Sequence, residues 1–307
     1  MKMIGIKTDN GKNPGKIAFY CKILKVSRQG FYKYLNNLNK PWRYELLAAE
    51  ILKIIKEDEC NDTYGYVRIH QALKVNKEEK GEKFPDVPSA RTVYRIIQKL
   101  GLIHKVKRKP NGITKADKEA RKSDDLINRE FTTDAPLQKC VTDITEIKTA
   151  DGKLYISAIE DCFDNAVIGL SMASNMKAEL CVNTLRNAII SYPNLKGAII
   201  HSDRGSQYTS HDYRRVIKTY GIKQSMNSEG GRCHDNAKCE SLWGRFKEEL
   251  LYDRYNTKRM SMSTVKSLIW RYFMSYWNNR RICSANGGLP PMVKRNQYYE
   301  NLIKKTA

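Results

Sequence analysis

Around residue 139 the hydrophobic pattern of this chain changes its period, and that change decides what the second half can fold into. Before it, apolar residues recur every three or four positions; in KCVTDITEIKT, residues 139–149, they alternate. A period of two puts Val141, Asp143, Thr145 and Ile147 on one face of a strand, and Cys140, Thr142, Ile144 and Glu146 on the other. Asp151-Gly152 is a hairpin signal, and LYISAIEDCFD and AVIGLSMA follow as two more apolar strands. A helix over about 177–191 ends at Tyr192-Pro193. Residues 197–202, GAIIHS, read as a short buried strand leading into Asp203. YRRVIKTYG is helical and stops at Gly221, IKQSM is a further strand, and a helix of about 236–251 follows the Gly-rich loop SEGGRCHD. Three antiparallel strands, then helix, strand, helix, strand and helix, make a mixed α/β layered domain.

The first half is helical. Residues 17–38 suggest two short helices, the second capped by the Ser27 hydroxyl. Residues 44–58 carry Leu47, Ile51, Ile54 and Ile55 at helical spacing, and another helix runs through Val67, Ile69 and Leu73. The charged stretch 74–88, KVNKEEKGEKFPDVP, reads as a loop or wing. Ser89 then opens SARTVYRIIQKLGLI, with Val93, Ile96, Ile97 and Leu100 on one face, Arg91, Arg95 and Lys99 on the other, and Gly101 as the stop. A recognition helix has this character, apolar towards its own domain and basic towards a groove; an ordinary amphipathic surface helix has it too.

Charge narrows the class of partner. Fifty-five Lys and Arg against 33 Asp and Glu leave +22. Residues 1–134 hold 29 basic and 17 acidic side chains (+12), and residues 135–307 hold 26 and 16 (+10). A basic excess spread over every domain suits a polyanion, whose condensed counterions are released on binding; a ribosomal or merely basic protein is the plainer alternative. Residues 102–122 hold eight basic and two acidic residues, among them Lys107, Arg108 and Lys109, and read as a linker that follows a DNA backbone or simply as a solvated one. The segment 252–307 is +9 (11 basic, two acidic), and its helix over 263–277 shows Trp270, Tyr272, Phe273, Tyr276 and Trp277. Such a face can stack on bases, but a place in the core is favoured. No run approaches the ~18 apolar residues of a membrane span. The start lacks a secretory core, so a cytoplasmic, nucleoid-associated protein with no membrane partner is expected. Eight cysteines form no C-x-x-C pair and read as reduced, buried thiols; zinc is disfavoured.

Three carboxylates stand where a metal site would want them. Asp143 lies mid-strand, where a charge is costly to bury unless it is paired or metal-bound. Asp203 follows an apolar strand directly, at the end where α/β sheets present their chemistry. Glu240 sits in the first turns of the last core helix. Hard oxygen donors of this kind suit Mg²⁺ or Mn²⁺. Alone, three acids this far apart along the chain are more simply read as salt-bridged carboxylates.

The surrounding motifs change that balance. HSDRGSQYTS (201–210), GIKQSM (221–226), CHDNAKCESLWGRFKEEL (233–250) and VTDITEI (141–147) together resemble the integrase-type core of bacterial insertion-sequence transposases, most closely the second-frame product of the insertion sequence 3 family. KVSRQGFYKYL (25–35), TYGYVRIHQAL (63–73), SARTVYRIIQKLGL (89–102) and YWNNRRICSANGGLPPMVKR (276–295) resemble that family's other segments in the same order. The fold implied is α/β: a ribonuclease-H-like mixed five-stranded sheet with helices on both faces, preceded by a helix-turn-helix-like region. The division expected is 1–60, an N-terminal helical region; 61–122, the DNA-binding region and basic linker; 135–251, the catalytic core; and 252–307, a basic helical tail.

The resemblance places the family's acidic triad on Asp143, Asp203 and Glu240, holding two Mg²⁺ or Mn²⁺ ions. It places a basic partner on Lys247, seven residues or about two turns after Glu240; a plain surface lysine is the alternative. Asn236 and Ser241 belong to the same motif and shape, cap or pack the helix start. His201 either orients a ligand or serves structurally, and Arg204 and Gln207 flank Asp203. Between Asp203 and Glu240 lie 36 residues (240 − 203 − 1), one more than is usual in the family, with the extra residue expected in SEGGRCHD. The partners implied are double-stranded transposon ends and target DNA, a homo-oligomer on them, and an upstream first-frame helix-turn-helix product. Two other classes stay open: a non-catalytic DNA-binding regulator or degenerate copy, and a ribonuclease-H-like nuclease that hydrolyses without joining.

Overall fold

The structure, a computed structural model, describes residues 1–38, 40–104, 123–227 and 236–306. The chain divides into two compact units, Met1–Ala49 and Glu50–Ala307. In the first, helices α1 (Lys2–Lys7), α2 (Pro14–Ile23) and α3 (Arg28–Leu38) enclose a small core of Ile4, Ile17, Cys21 and Phe31. Ser27 caps α3 as expected, its hydroxyl accepting from the Gly30 N–H at 3.0 Å. Helix α4 (Glu45–Lys56) leads into the second unit.

There, α5 (Tyr66–Lys80) and α6 (Ala90–Lys99) form a helix pair in which Ile69, Leu73, Val93, Ile96 and Ile97 are buried. The expected loop at 74–88 is corrected here: α5 continues through KVNKEEK to Lys80. Lys and Glu are good helix formers, and their charge marks a solvated helix face rather than a break. The stop is Gly81, whose φ of +60° costs a residue without Cβ nothing.

The core sheet follows the order β3-β2-β1-β4-β5. Strands β1 (Lys139–Thr149), β2 (Gly152–Asp161) and β3 (Val167–Ala173) are antiparallel; β4 (Ile199–Ser202) and β5 (Lys223–Met226) run parallel to β1 on its other side. This is the ribonuclease-H-like arrangement. Because β1 and β2 alternate, each sends one row of side chains to either face. Cys140, Ile144 and Ile159 pack under α7 (Ala178–Ser191) and α9 (His211–Thr219), which follows the one-turn α8 (Ser206–Thr209). Ile147, Leu154, Ile156 and Ala158 pack under α10 (Ala237–Phe246) and the chain beyond it.

The tail is therefore part of the core. After α11 (Met262–Trp270) the helix widens into π-helical turns over Arg271–Trp277, and Tyr272, Phe273, Tyr276 and Trp277 are buried against Trp243, Phe246 and the sheet. Trp270 alone of the expected aromatic face is exposed. Removing each such side chain from water contributes about 1.5–3 kcal/mol. The last helix, α12 (Pro291–Thr306), is tied to the sheet by Arg295, whose guanidinium donates to Asp161 and Asp164, each at 2.6 Å. No helix among the described residues is long and apolar enough to cross a membrane. The seven described cysteines are all free and buried.

Candidate metal centre and nucleic-acid face

Strand register brings the first two acids together. β1 and β4 pair Lys139 with Ile199 and Val141 with His201. Asp143 lies two residues beyond Val141 on β1 and Asp203 two beyond His201, just past the end of β4, close enough for the Asp203 charge to act on Asp143. Asp203 leaves the C-terminal end of β4 in a tight turn, its Oδ1 accepting from the Gly205 N–H at 2.9 Å. A Cβ on Gly205 would stand 2.9 Å from that same oxygen and push the Asp203 carboxylate aside.

Glu240 comes from α10, and polar bonds hold that helix on β1. Asn236 donates its side-chain N–H to the Thr142 carbonyl at 3.2 Å. Lys238 donates to the Cys162 carbonyl at 3.2 Å and to Asn165 Oδ1 at 2.7 Å. Trp243 donates its indole N–H to Asp143 Oδ2 at 3.2 Å. Cys239 is buried against Val141 and Cys162. Glu240 precedes Trp243 by three residues on α10 and is exposed, whereas Trp243 is buried.

The electrostatics follow from this arrangement. Burial raises the Asp143 carboxyl first. The charge of Asp203 raises it further, as does that of Glu240, against hydrogen bonds from the Ile144 N–H and Trp243; the result is pushed up to about 7. Lys247 lies in the same acidic field. Burial pulls its ammonium below the ordinary value, while Asp143 and Glu146 favour the charged form. The triad is nevertheless an open set: among the described residues no three His, Cys, Asp or Glu side chains are gathered tightly enough to enclose a metal ion. Like charges on neighbouring carboxylates repel, and Glu240 stands exposed to solvent. The donor chemistry fits a hard divalent cation, because the acids offer only oxygen and the neighbouring Cys239 thiol is held protonated, well above its usual range.

The flanking motif residues have structural work. His201 is fully buried, its ring nitrogens 2.8 Å from Ser225 Oγ and 2.9 Å from Asn227 Oδ1. Arg204 donates to the Asn227 carbonyl and Gln207 to that of Met176. Ser241 accepts from Arg245 one turn on. Asn236 does not cap α10 through its side chain; it anchors the helix to β1. Residues 228–235, where the extra residue of SEGGRCHD is expected, lie outside the described residues.

Arg91, Arg95 and Lys99 line the exposed side of α6. Beside them Tyr66 and Tyr94 stack edge to face at 5.4 Å, an aromatic pair that helical spacing alone did not mark. Lys107, Arg108 and Lys109 fall outside the described residues. Sequence reasoning also missed Trp243 as a partner of Asp143, and it missed the burial of Arg281 and Arg295. Each lies within 5 Å of an aromatic ring, at 4.2 Å from Trp277 and 4.9 Å from Tyr192.

The integrase core domain family matches residues 133–231, and a second integrase core domain family matches residues 220–291. The chain is 31% identical over 283 residues to the insertion element IS600 uncharacterized 31 kDa protein of Shigella sonnei, covering 91% of this chain and 98% of that one. It is 32% identical over 276 residues to the putative transposase InsK for insertion sequence element IS150 of Escherichia coli (strain K12), covering 90% and 92%. It is 28% identical over 277 residues to the transposase InsF for insertion sequence IS3A of the same organism, again covering 90% and 92%.

Proposed function

The chain belongs to the insertion sequence 3 family of transposases, and on that premise we propose that Asp143, Asp203 and Glu240 hold two Mg²⁺ or Mn²⁺ ions with which it cuts transposon ends and joins them to DNA. The observation that carries this reading is the Trp243–Asp143 hydrogen bond. It seats the helix bearing Glu240 over β1, whose parallel partner β4 ends just before Asp203. Bound there, divalent ions supply Lewis acidity, polarising the phosphoryl group and stabilising the attacking and leaving oxygens of an in-line displacement.

The chain's own residues do the rest. Asp143 and Asp203, fixed on neighbouring strands, provide the rigid half of the ligand set; Glu240, on the exposed side of α10, closes it. Lys247 neutralises the phosphate of the transposon end beside them. No side chain acts as nucleophile: water attacks for cleavage, and a DNA 3′-hydroxyl attacks for joining. Arg91, Arg95 and Lys99 on α6 meet the DNA backbone or groove, followed by Lys107, Arg108 and Lys109. The working division is 61–122 for DNA binding, 135–251 for chemistry and 252–307 as tail. The setting is the cytoplasm at the nucleoid, with terminal repeats and target DNA as partners, a homo-oligomer assembled on them, and the first-frame helix-turn-helix product as partner or fusion.

The test is Mg²⁺-dependent cleavage and strand transfer on a duplex carrying the transposon end. Wild-type protein nicks the end and joins the freed 3′-hydroxyl, while Asp143→Asn and Glu240→Gln do neither and melt cooperatively. Binding without cleavage by the wild-type protein would make it a regulator, and hydrolysis without joining would make it a nuclease.

A further inference from the structure

Trp243 is only 4% exposed. Its ring is fixed on two sides by edge-to-face packing, against Phe246 at 6.1 Å and Phe273 at 6.0 Å. An indole carries one N–H and no acceptor, and a buried indole N–H needs a partner. Most of the surrounding side chains are apolar. The N–H turns instead to Asp143 Oδ2, at 3.2 Å, within ordinary N–H···O range. A carboxylate has two oxygens, and a rigid donor on one of them fixes the plane of the group and aims the other. Donors standing behind a ligand in this way set its orientation, and their loss typically weakens metal binding about 10- to 100-fold.

We infer that Trp243 is a positioning residue of the metal centre: its indole N–H holds one Asp143 oxygen so that the other faces the cation, and so sets the affinity of the triad for Mg²⁺ or Mn²⁺. The inference rests on the reading of Asp143 as a ligand. Trp243 acts through Asp143. Because it lies three residues after Glu240, the same bond also fixes the rotation of α10 and with it the direction in which Glu240 leaves the helix.

The experiment compares Trp243→Phe, Asp143→Asn and Phe273→Leu with the wild-type full chain. Mn²⁺ binding to the DNA-free protein is measured by calorimetry, and the Mn²⁺ concentration giving half-maximal end cleavage is measured separately. Trp243→Phe keeps an aromatic body and loses the N–H. It is expected to bind Mn²⁺ about 10- to 100-fold more weakly and to move the half-maximal concentration by the same factor, with much of the maximal rate recovered at saturating metal. Phe273→Leu loosens the same aromatic wall but keeps the N–H, so it lowers the melting temperature and leaves Mn²⁺ affinity in place. Should Trp243→Phe fail to fold, benzothienylalanine at 243, which replaces the N–H by sulfur in an isosteric ring, gives the same readout. Unchanged Mn²⁺ affinity in the N–H-less variant, or an equal loss in Phe273→Leu, overturns the inference. Wild-type Mn²⁺ affinity in Asp143→Asn overturns the triad reading itself.

Discussion

Two carboxylates on the α10 side of the sheet meet opposite fates. Glu249, 3% exposed, accepts from Arg281 Nε at 2.7 Å, the Tyr272 hydroxyl at 2.9 Å and Arg68 Nη1 at 3.1 Å. Burial would raise its carboxyl, but Arg281 first and Arg68 after it hold it down to about 2. Among the described residues Asp143 has one neutral side-chain donor, Trp243; burial first and the charges of Asp203 and Glu240 after it push the carboxyl up to about 7. The chain thus supplies its own cations where a buried acid ties elements together. At Asp143 the neighbouring charges that weigh most are those of Asp203 and Glu240, with Lys247 a cation in the same field, and on the proposed reading bound metal supplies the rest. A buried acid's role can be read from the sign of what surrounds it.

The widest separation between the two sites is expected in catalysis. On the proposed reading, Asp143→Asn or Glu240→Gln removes a metal ligand worth several kcal/mol of transition-state stabilisation, a loss of roughly 10³-fold or more in end cleavage. The same change relieves like-charge repulsion, so in the absence of metal the melting temperature holds or rises. Saturating Mg²⁺ stabilises the wild-type fold by mass action, by about 2.7 kcal/mol at 100 times the dissociation constant, and leaves Asp143→Asn unmoved. A thermal-shift titration reads both effects. A wild-type fold indifferent to Mg²⁺ would erase the contrast.

Breaking the other site should cost stability instead. Arg281→Met leaves Glu249 charged and buried with only Arg68 and Tyr272, a loss of about 3–5 kcal/mol, read from urea denaturation. The pH dependence carries the same sign. The folded carboxyl of Glu249 is depressed from 4.5 to about 2. Its ionised form therefore stabilises the fold fully above the unfolded value, and that contribution is lost as pH falls from about 4.5 through about 2. The gap corresponds to on the order of 3 kcal/mol. Stability measured between pH 5 and 2 falls less steeply in Glu249→Gln than in the wild type. Parallel acid limbs would show that Glu249 is not held by its arginines.

These two sites also divide what the sequence could tell. Alternation in VTDITEI put Asp143 on one face, and the apolar strand before Asp203 put that acid at a strand end; the strand order and the register came only with the structure. The helix of Glu240 was legible from its periodicity. Trp243 was not, because a tryptophan at apolar helical spacing is nearly always core, and here it is core with one polar atom aimed at the Asp143 carboxylate. Arg281 and Arg295 were counted into the +9 of a basic tail and so credited to DNA, whereas both are buried on internal acids. Charge counting is blind to which partner a cation meets. The same blindness turned the Lys- and Glu-rich end of α5 into a loop.

The smallest expected effect lies on α6, where cations face outward rather than inward. Arg95 is exposed, on a helix whose other side is buried in its own domain. If its counter-charge is a DNA phosphate, Arg95→Ala weakens binding to end-containing and unrelated duplexes alike, by roughly 1 kcal/mol, and lowers the slope of log K against log salt by about one. A base-reading arginine behaves differently: its loss costs about 1–3 kcal/mol on the end sequence alone and relaxes discrimination at one base pair. Fluorescence anisotropy at several salt concentrations, on both duplexes, separates the two. No change in either slope or affinity would make the basic face of α6 a solvated surface. The basic excess that binds DNA would then have to be sought elsewhere on the chain.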